Sequence, residues 1–310
     1  MISEIRKIWK ISASRQFILQ QEMTKLPEAI QDFLSKNNEL ELALIGCRAD
    51  SPHNSYDCCE YDIAILGRNT ENTFDKKIIQ LGNNTLEFLN FQNQNAHNDI
   101  ALSSMIKLKE SNTLISESPK FDRKKLFIAA GKRRIVDSLF NVSKNSSAKA
   151  ELNAALNLKI AAYDLIEGIL LMSETRPMPI HELTQLRQVE VHKDFINEAI
   201  QTCIECLGIE RATRTIINRS FKALREILKD TYDVELISSK IHFLLGNGLL
   251  ADCYYYIGKL VCSHLEKKDN ASQLNYHKLN SIALDLTNDY QKVKKMSALI
   301  KRDCKLVLKN

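Results

Sequence analysis

Residues 42–66 read LALIGCRADSPHNSYDCCEYDIAIL. An apolar run from Leu42 to Ile45 ends in a small pair, Gly46 and Cys47. The loop from Ala49 to Cys58 carries Asp, Ser, Pro, His and Asn, residues that favour turns. A second apolar run then opens with two acids one residue apart, Glu60 and Asp62. Side chains at i and i+2 of a strand share a face, so the two carboxylates lie together. Two carboxylates on one face beside a glycine turn suit a hard cation and a phosphate.

Working outward, apolar residues at Phe17, Ile18, Met23, Leu26, Ile30, Phe33 and Leu34 predict a helix over 12–36, with Pro27 as a kink or break. Residues 40–45 and 60–66 read as strands, and 76–81 as either a strand or a helical turn. A tight turn at Gly82, Asn83 and Asn84 precedes a strand over 85–91. Residues 100–110 read as helical. From Asp122 the periodicity is helical almost throughout, with helices expected near 122–141, 147–173, 180–207, 209–230, 236–267 and 277–308. The expected fold class is therefore α+β: a small mixed-sheet domain over 1–118, then an all-α bundle over 119–310.

The chain has 310 residues, enough for two domains with cores of their own, and an ordinary composition of 44% hydrophobic and 26% charged residues. Only 9 Gly and 5 Pro argue against a turn-rich all-β protein, and a net charge of +5 makes no case for a dedicated nucleic-acid binder. The segment from Met1 to Arg15 is charged, without an uninterrupted apolar core, and no run approaches a membrane span. A cytoplasmic protein with reduced thiols and no membrane partner is expected. Of the eight cysteines, Cys203 and Cys206 form a lone C-x-x-C. No second pair stands at zinc spacing and the pattern around them is helical, so both read as small core residues.

A third acid, Glu87, sits inside the apolar strand Thr85 to Phe91. A charge there is unfavourable without a partner, and a metal held by Glu60 and Asp62 supplies one. A strand ending in glycine plus a small residue, a loop of roughly ten residues, acid–x–acid, and a later strand acid resemble the DNA polymerase β-like nucleotidyltransferase superfamily. The loop phrase Gly46-Cys47-Arg48-Ala49 is similar to those of the minimal and kanamycin nucleotidyltransferase-like members. The motif-bearing likeness covers about residues 12–95. The helical remainder is similar in architecture only. Cys47 departs from the usual serine, and Glu60 from the commoner Asp.

The resemblance implies a nucleotidyltransferase that uses magnesium, two Mg2+ ions, with a nucleoside triphosphate such as ATP as substrate. Glu60, Asp62 and Glu87 would be metal-binding and catalytic, with Glu87 taking the acceptor proton. Gly46, Cys47, Arg48 and, from the bundle, Lys159 would be nucleotide-binding. Arg48 reads equally as a solvated loop arginine, and Lys159 stands between Leu158 and Ile160 in a strongly apolar helix. The acceptor is a small molecule, a protein or RNA, and the resemblance does not choose among them.

Arg187 and His192 offer a second reading. Their Arg-x4-His spacing resembles the HEPN ribonucleases, helical modules of toxin–antitoxin pairs in which the two residues act across a homodimer. A non-catalytic nucleotide-binding relative is the third. Lys132, Arg133 and Arg134 read as a solvated helix face, His53 as a plain loop histidine, and Tyr254 to Tyr256 as packing residues.

Overall fold

The computed structural model describes residues 26–35, 41–67, 77–92, 100–109, 122–144, 151–189, 194–230, 233–266 and 277–309. The chain is α+β, and it divides into two compact units, Met1–Phe121 and Asp122–Asn310.

In the first unit, helix α1 (Glu28–Ser35) starts directly after Pro27, whose carbonyl accepts from the amides of Ile30 and Gln31. Residues 12–25 of the expected helix lie outside the described residues. Five strands follow: β1 (Glu41–Ile45), β2 (Tyr61–Gly67), β3 (Lys77–Leu81), β4 (Asn84–Gln92) and β5 (Ile106–Lys109). They form one mixed sheet in the order β3-β4-β2-β1-β5. β1 runs antiparallel to β2 and β5, β3 antiparallel to β4, and β2 parallel to β4. Between β1 and β2 the chain makes a single helical turn, α2 (Cys47–Asp50), and a 3-10 turn (Pro52–Asn54).

The period of two along β2 builds both faces of the sheet. Ile63 and Ile65 join Leu42, Leu44, Leu86, Phe88 and the α1 residues Ile30 and Leu34 in one core. Ala64 and Leu66 join Ala43, Ile45 and Leu102 in a second. Residues 100–109 do not form the expected helix. A 3-10 turn at Ile100–Leu102 places Leu102 on the second face, and β5 then pairs with β1. The open edge of β1 outweighed a short helical pattern, because a strand there satisfies a row of backbone groups.

In the second unit the described helices are α3 (Arg123–Ser143), α4 (Glu151–Met172), α5 (Glu182–Gln188), α6 (Asp194–Leu207), α7 (Arg214–Leu228), α8 (Val234–Gly246), α9 (Leu250–Glu266), α10 (His277–Ala283) and α11 (Tyr290–Lys309). Asp122, Thr213 and Asp233 cap α3, α7 and α8 by accepting from backbone amides three residues on. Three expected helices are in fact broken. The one over 180–207 ends its first part at Gln188, where Val189 turns extended. That over 236–267 splits at Gly248, with φ +72°, and that over 277–308 at Asp285, with φ +48°. Left-handed residues end helices, and an apolar period that continues across such a break conceals it from the sequence.

Candidate metal centre and phosphate turn

The parallel register of β2 and β4 sets Asp62 directly beside Glu87. Neighbours in register share a face, here the one lined by Ala64 and Leu66. Glu60 precedes β2 by one residue and stands two before Asp62, on the same side. The result is convergence: Glu60, Asp62 and Glu87 each bring a carboxylate oxygen within 4.8 Å of the others. Glu87 is buried, whereas Glu60 and Asp62 are half-buried. Ionised carboxylates this close repel one another, and a divalent cation relieves that repulsion.

Gly46 closes the site from the end of β1. Its φ of +76° lies in the left-handed region, and a Cβ at this position would stand 1.8 Å from Oδ2 of Asp62. The backbone turn therefore lies against the acid, in space that no other residue leaves open. An all-oxygen donor set and a bare backbone turn fit Mg2+ bearing a phosphate.

Cys47, the first residue of α2, is buried, with Sγ within 4.8 Å of Sγ of Cys59. A side-chain hydrogen bond with Cys59, then burial, and then the charges of Asp62 and Glu60 push its pKa well up, so the thiol stays neutral. Its side chain is engaged with Cys59. Arg48 has partners within its own loop. Its Nε and Nη2 donate to the Cys59 carbonyl at 3.1 and 2.7 Å, and its guanidinium lies 4.1 Å from the Tyr61 ring centroid. Half-buried rather than solvated, it clamps the far end of the loop beside Glu60. No periodicity in the sequence signals this clamp.

The remaining candidates, His53 excepted, belong to the second unit. Lys159 belongs to α4 of the second unit, where its buried ammonium donates to the Leu207 carbonyl at 2.7 Å. Arg187 is spent on Asp252, with Nη1 and Nη2 donating to its two oxygens at 2.9 and 3.0 Å. His192 lies outside the described residues. His53 is exposed, as are Lys132 and Arg133. Arg134 instead turns inward to Asp164 and Glu167, so the stretch 132–134 is only partly a solvated face. Tyr254 to Tyr256 are all buried.

A buried charge network in the second unit escaped the sequence reading. Lys259 Nζ bonds Glu167 Oε2 at 2.6 Å and lies 3.3 Å from Glu182 Oε1, while the Tyr255 hydroxyl donates to Glu182 Oε2 at 2.7 Å. The available signal was the same one that marked Lys159, a lysine inside an apolar helix, here Ile257 to Val261. Burial pushes the pKa of Glu182 up, whereas Lys259 and Arg134 overcome burial and pull Glu167 down to about 2. The network holds helices together and offers no open site.

Compared with protein-family models, with characterised proteins and with solved structures, the chain matches none.

Proposed function

We propose that the first unit is the catalytic domain of a magnesium-dependent nucleotidyltransferase, which moves a nucleoside monophosphate from a nucleoside triphosphate to a hydroxyl acceptor. The observation that carries this reading is the convergence of Glu60, Asp62 and Glu87 within 4.8 Å, against a glycine turn that admits no side chain. The parallel β2–β4 register and the helical turn at the end of β1 support it.

In this reading Glu60, Asp62 and Glu87 would hold the magnesium. Magnesium held there would offset the charge of the triphosphate and make the acceptor hydroxyl more acidic. Gly46 and Cys47 present backbone amides to the β- and γ-phosphates. Arg48 fixes the loop so that Glu60 keeps its place. Glu87 takes the proton of the acceptor hydroxyl at its carboxylate. The acceptor oxygen bonds to the α-phosphorus, the bond from that phosphorus to the bridging oxygen breaks, and pyrophosphate leaves.

The test supplies the full chain with Mg2+, each α-labelled nucleoside triphosphate and cell extract. Label is expected on a small molecule, protein or RNA. Asp62→Asn and Glu87→Gln should each lower transfer by roughly a hundredfold or more. Mn2+ binding, read by electron paramagnetic resonance, should weaken in Asp62→Asn whether or not an acceptor has been found. Nucleotide binding without transfer points to a non-catalytic relative. Absence of metal binding, nucleotide binding and transfer sinks the proposal.

A further inference from the structure

The second unit holds a buried cation that the reading above does not use. Lys159 is only 5% exposed. Its Nζ donates to the Leu207 carbonyl at 2.7 Å and to the Tyr254 hydroxyl at 3.4 Å, and it stands 5.6 Å from the centroid of the Tyr254 ring. All these partners are neutral. Among the described residues no carboxylate lies within ion-pair distance of this ammonium. Burial, and then the nearby Arg211 charge, push its pKa down to about 8, which leaves it mostly charged at neutral pH. A buried ion without a counter-ion is strongly unfavourable, yet this one is kept.

The same side chain lines a cavity of about 90 Å³, together with Arg211, Lys292, Leu158 and Met296, and with Glu205 as its one acid. Arg211 already pairs with Asp285 at 2.7 Å. Lys159 is therefore the buried cation there without a carboxylate. A second cavity, of about 220 Å³, shares Ala155, Thr287 and Val293 with the first and adds Leu286, Tyr290 and the polar His277, Ser281 and Asn288 to its walls. A space this small takes a single oxyanion head and excludes a triphosphate chain. On one side of its larger neighbour, Ala155, Leu286 and Val293 give a short hydrocarbon body an apolar wall, opposite polar groups.

We propose that the paired cavities of the helical unit bind a small amphipathic anion, with one carboxylate or phosphate-monoester head on Lys159 and a short apolar body in the larger lobe. The ligand supplies the counter-ion that the fold withholds. Every lining residue belongs to the second unit, so this site stands or falls separately from the metal centre of the first.

The thermal midpoint of the full chain tests this at pH 7, titrated with hexanoate, hexyl phosphate and hexanol. A saturable rise with one or both anions, and none with hexanol, is expected. Response to hexanoate alone assigns a carboxylate head, and response to hexyl phosphate alone a phosphate ester. Lys159→Met should weaken binding by roughly tenfold or more, the worth of one charge-assisted contact. Lys292→Gln, at an exposed position, should weaken it about threefold and serves if the first variant does not fold. The proposal is overturned by no rise with either anion, by an equal rise with hexanol, or by wild-type affinity in Lys159→Met. If that variant does not fold, wild-type affinity in Lys292→Gln overturns it.

Discussion

At the scale of single residues, the candidate centre depends on an absence of atoms at Gly46. Any Cβ there collides with the Asp62 carboxylate and must also adopt a left-handed backbone. Gly46→Ala is expected to displace Asp62, abolish Mn2+ binding and destabilise the first unit by about 1–3 kcal/mol. A denaturation curve and a metal titration on the same variant check both effects. In the second unit, Lys259→Met leaves Glu182 buried with its cation removed, and a loss of about 3–5 kcal/mol is expected in urea unfolding. Glu60, Asp62, Glu87 and Gly46 were legible as a group, because acids and glycine at set positions on strands have few explanations. The clamp formed by Arg48 was not, because its partner is a backbone carbonyl, which every residue carries alike.

Between elements, α3 and α4 approach through a pair of glycines. A Cβ on Gly131 would lie 2.8 Å from the Gly168 carbonyl oxygen, and one on Gly168 would lie 3.0 Å from the Gly131 carbonyl oxygen and 2.5 Å from Cγ1 of Ile135. Backbone cannot rotate aside as a side chain can, so Gly131→Ala must separate the helices locally. It is expected to lower stability by about 1–3 kcal/mol, more than the gain in helix propensity of roughly 1 kcal/mol. A urea midpoint below that of the parent decides which effect wins. The sequence marked α3 and α4 through their apolar period, but a glycine in a helix reads only as a weak point until its neighbour is known. The breaks at Gly248 and Asp285 were missed for a related reason. The apolar pattern resumes beyond each, and only packing reveals that the axis has changed.

Across the whole molecule, seven of the eight cysteines are buried, Cys58 being the exception. Ellman's reagent should therefore find one fast thiol in the native protein and eight after unfolding. Burial raises the thiol pKa of Cys304 to about 11 and of Cys206 and Cys253 to about 12, with Cys203 and Cys262 also pushed up. Below about pH 9 these groups are protonated in both the folded and unfolded chain, and their contribution is fully present. Above it the unfolded chain releases protons that the folded one retains, so stability falls as pH climbs through 11 and 12. Lys159 acts in the opposite sense between its folded value of about 8 and its ordinary 10.5. Five thiols outweigh one amine. The urea midpoint in reducing buffer should drop steadily above pH 9, and a flat profile to pH 10.5 contradicts this account.

By itself the sequence determined the α+β class, the strands β1, β2 and β4, and three acids at spacings suited to one cation. These follow from local rules: the period of two in a strand, the conformational demand of glycine, and the unfavourable burial of a lone charge. Only the tertiary structure decided that Asp62 and Glu87 are neighbours, since strand pairing joins residues that the chain separates. It also turned Arg48 to its own loop, closed Lys259 into a network and set Lys159 in the wall of a cavity. Those outcomes depend on which groups meet across space, and side-chain chemistry alone does not select the partner.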